Sequence, residues 1–244
     1  MISKDDFISR LTAVFSKNKM GGMLSKATAE SFFTLTEFML TENEKFNLTA
    51  ITDPDKIILS HYLDCAILAG RIGKGLSVID IGAGAGFPTL PLALLRHDLK
   101  ITAVDATAKR TDYVARAAEL LGLSNVKVVT MRAEDGGKSP EYRERFDVAC
   151  ARAVAEMRIL AELCLPYVKR GGEFIAMKGK NAEYELKDAK RAITMLGGRD
   201  TKIESVNLSN GKEELSHPLI TVKKAERTPD AYPRVYAQIS KKPL

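Results

Sequence analysis

Val78-Ile79-Asp80-Ile81-Gly82-Ala83-Gly84-Ala85-Gly86-Phe87-Pro88 decides how the rest of the chain is read. Its first half is a short apolar strand, interrupted by one acid. Its second half places a glycine at every other position and ends on a proline suited to the first turn of a helix. Glycines there let the backbone pass close to a ligand with no Cβ in the way. A strand running through such a turn into a helix forms the edge at which open α/β sheets bind ligands. Two phosphate-binding readings conflict with the residues. A dinucleotide turn wants its third glycine at position 87, which is phenylalanine, and a P-loop needs a Lys-Ser/Thr pair after the last glycine, which is missing.

Outward from this turn, strands are expected at 76–81, 100–105, 126–131, 146–151 and 173–178, with helices at 88–96, 108–121, 156–165 and 182–196. Strand–helix alternation at this spacing predicts a doubly wound α/β fold, a mostly parallel sheet covered on both faces. Two further strands, 201–207 and 217–224, flank the turn-like Ser209-Asn210-Gly211 and close the sheet to seven strands as an antiparallel edge hairpin. Residues 1–70 read as an N-terminal helical extension, with apolar positions at helical spacing from Phe7 to Phe15 and from Phe32 to Leu40. A further helix is capped by Asp53 and opened by Pro54, and continues to about Leu68. The division expected is therefore 1–70 helical extension, 71–227 ligand-binding domain and 228–244 tail. Pro229, Pro233 and Pro243 predict that the tail is extended.

Composition narrows the classes. No stretch approaches the ~20 apolar residues of a membrane span, and the N-terminus carries Asp5 and Asp6 where a secretory signal would be basic. A cytoplasmic protein without membrane contact is expected. Cys65, Cys150 and Cys164 are far apart and form no C-x-x-C pair, and His61, His97 and His217 are scattered, so no metal site is expected. The net charge is +6, and residues 223–244 hold six basic residues against two acids, together with Tyr232 and Tyr236. Such a tail suits either an RNA surface or simple solvation.

An acid two residues before G-x-G-x-G resembles the first motif of the class I (Rossmann-like) methyltransferases, whose glycine turn cradles the methionine part of S-adenosylmethionine. Asp105 ends the second strand, where a carboxylate accepts from ribose hydroxyls and would serve either that cofactor or NAD. Ala133 and Glu134 follow the third strand, the point at which class I methyltransferases meet adenine. The Gly86-Phe87-Pro88 turn, with Leu90-Pro91, is similar to the ribosomal small-subunit RNA methyltransferase G family, also called glucose-inhibited division protein B. Supporting matches include Phe46-Asn47-Leu48-Thr49, His61-x-x-Asp64, Lys109-Arg110, Arg132-Ala133-Glu134, Ala151-Arg152-Ala153, Lys178-Gly179 and Thr228-Pro229-x-x-Tyr232-Pro233-Arg234. The resemblance implies S-adenosylmethionine as cofactor and methylation of N7 of one guanine. The partner it implies is small-subunit (16S) ribosomal RNA, naked or within an assembling ribosomal subunit. It places cofactor contacts on Gly82, Phe87, Ala133, Glu134 and Arg152, to which the glycine turn adds Gly84 and the second strand adds Asp105. Two departures stand out: Ala106 replaces a frequent serine, and the tail lacks the dense Lys/Pro run of some members.

N7 carries a lone pair and no proton, so its methylation needs no general base and no catalytic residue is expected. Arg152 suits the methionine carboxylate, an RNA phosphate or a salt bridge. His61 and Asp64 share a helix face, where they either line a target pocket or serve packing, and Lys178 meets RNA phosphate or is structural. The rival readings are a methyltransferase of another RNA, protein or small molecule, a nicotinamide oxidoreductase, and a catalytically silent RNA-binding module.

Overall fold

The computed structural model describes residues 2–244. Seven strands form one sheet: β1 (Ser77–Ile81), β2 (Lys100–Asp105), β3 (Val126–Thr130), β4 (Phe146–Arg152), β5 (Val168–Met177), β6 (Gly198–Ser209) and β7 (Glu214–Lys224). Their order is β3-β2-β1-β4-β5-β7-β6. The first five run parallel, and β7 returns antiparallel between β5 and β6, so the expected hairpin closes one edge. The order reverses between β1 and β4, where the glycine turn leaves the sheet. Alternate residues face opposite layers: Val78, Ile101, Val148 and Ile175 enter one apolar cluster, and Ile79, Val104, Ala149 and Phe174 the other.

The first cluster holds α1 (Lys4–Lys17), α2 (Lys26–Asn43), α3 (Pro54–Ile57), α4 (Asp64–Arg71), α5 (Thr89–Leu95) and α6 (Ala108–Leu120). The N-terminal helices thus share one core with a face of the sheet. Asp53 caps α3, its carboxylate accepting from the Lys56 N–H at 3.0 Å, and six residues of π-helix, Ile58–Leu63, join α3 to α4. The predicted single helix contains this wider turn, of a kind frequent at functional sites. The opposite layer holds α8 (Met157–Cys164) and α9 (Ala182–Met195), with the short α7 (Ala133–Gly136) after β3.

The tail corrects one expectation. It is not extended throughout, because Tyr236–Lys241 form α10. Pro233 and Pro243 bracket a proline-free stretch, and Ile239 is fully buried in the second cluster, so the helix gains a packed face. Lys224 and Arg234, counted with the tail charge that suited RNA or solvent, are engaged within the protein instead. Lys224 is buried and donates to Leu165 O and Thr228 Oγ1, and Arg234 pairs with the fully buried Glu162 at 2.6 Å. No described helix is long and apolar enough to cross a membrane. The three cysteines are buried and unpaired.

Candidate functional site

A cleft of about 470 Å³ opens at the carboxyl ends of β1, β2 and β4, where the strand order reverses. Its walls include all seven residues picked out from the sequence: Gly82, Gly84, Phe87, Asp105, Ala133, Glu134 and Arg152. The turn is held by backbone bonds, the N–H groups of Gly82 and Ala83 donating to Val104 O at 2.8 and 2.9 Å. Gly82 has φ +77°, and a Cβ there would lie 2.6 Å from a Val154 methyl, so only glycine fits. Asp105 fixes the other side of the turn, accepting from Gly84 N–H at 3.0 Å and from Thr107 N–H at 2.9 Å. Its carboxylate therefore shapes the glycine turn as well as facing the cleft. Beneath the turn, Asp80 is fully buried. Thr89 Oγ1 donates to its Oδ2 at 2.6 Å, while Oδ1 has no hydrogen-bond partner. Burial raises this carboxyl to about 6, the Thr89 hydrogen bond opposing.

Arg152 leaves the end of β4 and turns toward the π-helical segment. It donates to Ser60 O at 3.0 Å, to Asp64 Oδ2 at 3.3 Å and to His61 Nδ1 at 3.2 Å. Its guanidinium lies 5.1 Å from the centre of the Phe87 ring, and the His61 ring stacks on the same phenylalanine at 4.3 Å. His217 Nδ1 stands 3.0 Å from Asp64 Oδ1 without hydrogen-bond geometry. His61 and Asp64, expected to share a helix face and either line a pocket or serve packing, meet Arg152 in one cluster, and His61 lines the cleft. Burial, then the Arg152 charge, lowers the His61 imidazole to about 4. Lys178 is structural: its ammonium is bound by Ala155 O at 2.9 Å and Glu185 at 2.6 Å.

Sequence reasoning passed over Leu48, Thr49, Val154 and Tyr236, which also line the cleft. Leu48 and Thr49 sit on the loop after α2, where Asn43 Oδ1 accepts from both backbone N–H groups at 2.7 and 2.9 Å. The Phe46–Thr49 run carried a signal of resemblance but nothing local to show that it folds back over the cleft. Tyr236 stood out only as part of a basic tail. No group of three or more His, Cys, Asp or Glu placed to hold a metal occurs among the described residues.

A family profile described as rRNA small subunit methyltransferase G (GidB) matches residues 28–215. The chain is 46% identical over 215 residues to a ribosomal RNA small subunit methyltransferase G of Clostridium perfringens, covering 87% of this chain and 89% of that one. It is 43% identical over 225 residues to the protein of the same name from Lactobacillus acidophilus, covering 91% and 93%. Among solved structures, cofactor-bound Rv0187 from MTB has a TM-score of 0.56 at 18% identity, over 79% of this chain and 91% of that one. A geranyl diphosphate C-methyltransferase from Streptomyces coelicolor, in complex with S-adenosyl-L-homocysteine, has a TM-score of 0.51 at 14% identity, over 67% and 79%. At such identities the structural likeness concerns the fold alone, the doubly wound sheet of the class I methyltransferases.

Proposed function

The chain belongs to the rRNA small subunit methyltransferase G family, and from that premise we propose that it methylates N7 of one guanine in small-subunit ribosomal RNA. The observation that carries the reading is the glycine turn at the point of strand reversal, walled by Asp105, Ala133 and Glu134. The residues fit S-adenosylmethionine. The space beside Gly84 is open to its methionine part, and the partnerless Asp80 oxygen beneath the turn suits a nearby ammonium group. In this assignment Gly82, Gly84 and Phe87 hold the methionine part, Asp105 the ribose, and Ala133 with Glu134 the adenine. Arg152 builds the wall behind Phe87, its charge answered by Asp64.

When bound, the cofactor supplies a methyl group on a positively charged sulfur. The guanine N7 lone pair would take that methyl in line as the carbon–sulfur bond breaks, S-adenosylhomocysteine leaving and the positive charge moving to the purine. No proton moves from N7, so the protein has no base to provide. Its contribution is to hold nucleophile and methyl in line, an effect that supplies roughly 7–11 kcal/mol in well-oriented reactions. Arg–guanine recognition through O6 and N7 is closed to this enzyme, since N7 must face the methyl. Recognition then falls on the Watson–Crick edge of a guanine that is unpaired or drawn out of its stack.

RNA carrying 7-deazaguanine at the target tests the assignment. Binding should persist while transfer stops, and transfer to the deaza substrate would refute N7 as the nucleophile. Calorimetry should show S-adenosylhomocysteine binding and no NAD binding. Turnover on naked RNA against assembling subunits reads which of the two is the substrate in the cytoplasm.

A further inference from the structure

Hydrogen bonds around the cleft form a chain with only one consistent direction. Its origin is Arg152, whose guanidinium donates and never accepts. The His61 Nδ1 atom, 3.2 Å from the Arg152 terminal nitrogen, must therefore carry a lone pair. Ser60 O also lies 3.3 Å from Nδ1 and could accept beside its bond from Arg152, but a proton on Nδ1 would face the guanidinium protons. The imidazole proton is thus on Nε2, which donates to Thr49 Oγ1 at 3.3 Å. Thr49 Oγ1 accepts a second hydrogen bond, from Ile51 N–H at 3.0 Å. With both its lone pairs engaged, the Thr49 hydroxyl has only its proton left to offer. Among the described residues no protein acceptor takes it, and Thr49 lines the cleft.

We propose that Thr49 is a specificity-determining residue, its hydroxyl donating to O6 of the target guanine, with His61 and Arg152 as positioning residues that fix the direction of that bond. The inference rests on the guanine-N7 reading above. On a guanine, O6 and N7 share one edge, both as acceptors. Once N7 faces the methyl, O6 is carried into the cleft beside it and needs a donor. The purine gains positive charge as the methyl arrives, so a cationic donor at O6 would oppose transfer, whereas a neutral hydroxyl does not. The cluster meets this need: Arg152, His61 and Thr49 all line the cleft, but the Arg152 charge is balanced by Asp64, and the hydroxyl with a proton to spare is the neutral one of Thr49. Adenine carries an amino donor at the equivalent position, which a fixed hydroxyl donor meets less well.

Thr49→Val removes the hydroxyl at nearly constant shape, and Thr49→Ser restores it. The test is equilibrium binding, in the presence of S-adenosylhomocysteine, to synthetic RNA spanning the mapped target guanine. A second RNA carries 2-aminopurine there, which lacks O6 and keeps N7. Thr49→Val should weaken binding to guanine RNA about two- to tenfold, the range for one neutral hydrogen bond. Thr49→Ser should bind as wild type does, and the Val penalty should vanish on 2-aminopurine RNA. Cofactor affinity should be equal in all three proteins. An equal Val penalty on both RNAs, or a loss of cofactor affinity in its place, overturns the Thr49 assignment while leaving the N7 reading intact. Transfer by wild-type protein to 7-deazaguanine RNA overturns the N7 reading, and this assignment with it.

Discussion

At the scale of single residues, Asp80 holds the most consequential unpaired atom. Its buried carboxyl is raised to about 6 against an ordinary value of 3.8. The native state therefore holds this proton more tightly than the unfolded chain does. The resulting contribution to stability is complete below about pH 4 and lost as pH rises through 6, on the order of 3 kcal/mol over the window. Asp80→Asn keeps an acceptor for Thr89 and cannot ionise. Without cofactor, the variant should be more stable than wild type at pH 7 by up to that amount and equal to it at pH 4, read from denaturant midpoints. If Asp80 answers the ligand's ammonium as proposed above, the variant should also bind S-adenosylhomocysteine more weakly. An unchanged pH profile of stability in the variant would place the titration in another group. Gly84 gives the complementary case. With φ +56° and open space beside it, Gly84→Val strains the backbone by ~1–2 kcal/mol and fills the cleft. Ligand binding should be lost in calorimetry while the far-ultraviolet dichroism of the folded protein is kept.

At the scale of elements, the tail behaves as a strap. Arg143 donates to the carbonyls of Gly137, Thr228, Pro229 and Tyr232, tying residues 228–232 to the segment after α7. Arg234 gives its backbone N–H, Nε and a terminal nitrogen to Glu162, which is wholly buried on α8. Arg234→Met leaves that carboxylate without its partner, a loss of about 3–5 kcal/mol in buried pairs. Adding Glu162→Leu should recover most of it, as urea melts would show. Deletion of 228–244 removes the same partner and should unfold the protein. These pairings explain what the sequence could and could not show. The strands, the glycine turn and the edge hairpin were legible because alternation, glycine spacing and a turn-like Ser-Asn-Gly are local signals. Arg234 and Glu162 lie 72 residues apart. Nothing near either says that the charge is tied to a buried acid, so the tail read as extended, its charge open to RNA or to solvent. The π-helical turn at 58–63 is likewise silent in the pattern, yet it lies where His61 meets Arg152 and Phe87.

At the scale of the whole molecule, the excess of +6 matters less than where cations lack a carboxylate partner. At the start of the tail expected to bind RNA, Arg227 is paired with Asp230 at 2.7 Å, and Glu226 of the same segment pairs with Arg199 of β6 at 2.9 Å. A cation already neutralised by protein has little to gain from a phosphate. Other cations differ. Lys109, the neighbour of the cleft-lining Arg110, lies over the Phe46 ring at 4.4 Å, an aromatic pairing that leaves its charge uncancelled, and Arg132 is exposed on the cleft wall. A single strand that delivers one base into the cleft past these side chains would bring its phosphates to them, and each phosphate neutralised should add about 0.7 to the magnitude of the salt slope. Lys109→Ala with Arg132→Ala should therefore flatten the dependence of RNA affinity on salt by about 1.4, two contacts of that size. Arg199→Ala with Arg227→Ala should leave the slope unchanged, because those charges enter binding already paired. The measurement is the RNA dissociation constant across a salt series with S-adenosylhomocysteine saturating, so that changes in cofactor affinity do not enter. If the Arg199/Arg227 pair flattened the slope as much as the Lys109/Arg132 pair, the RNA would track the strapped tail, and the cleft mouth would carry no phosphate contacts of its own.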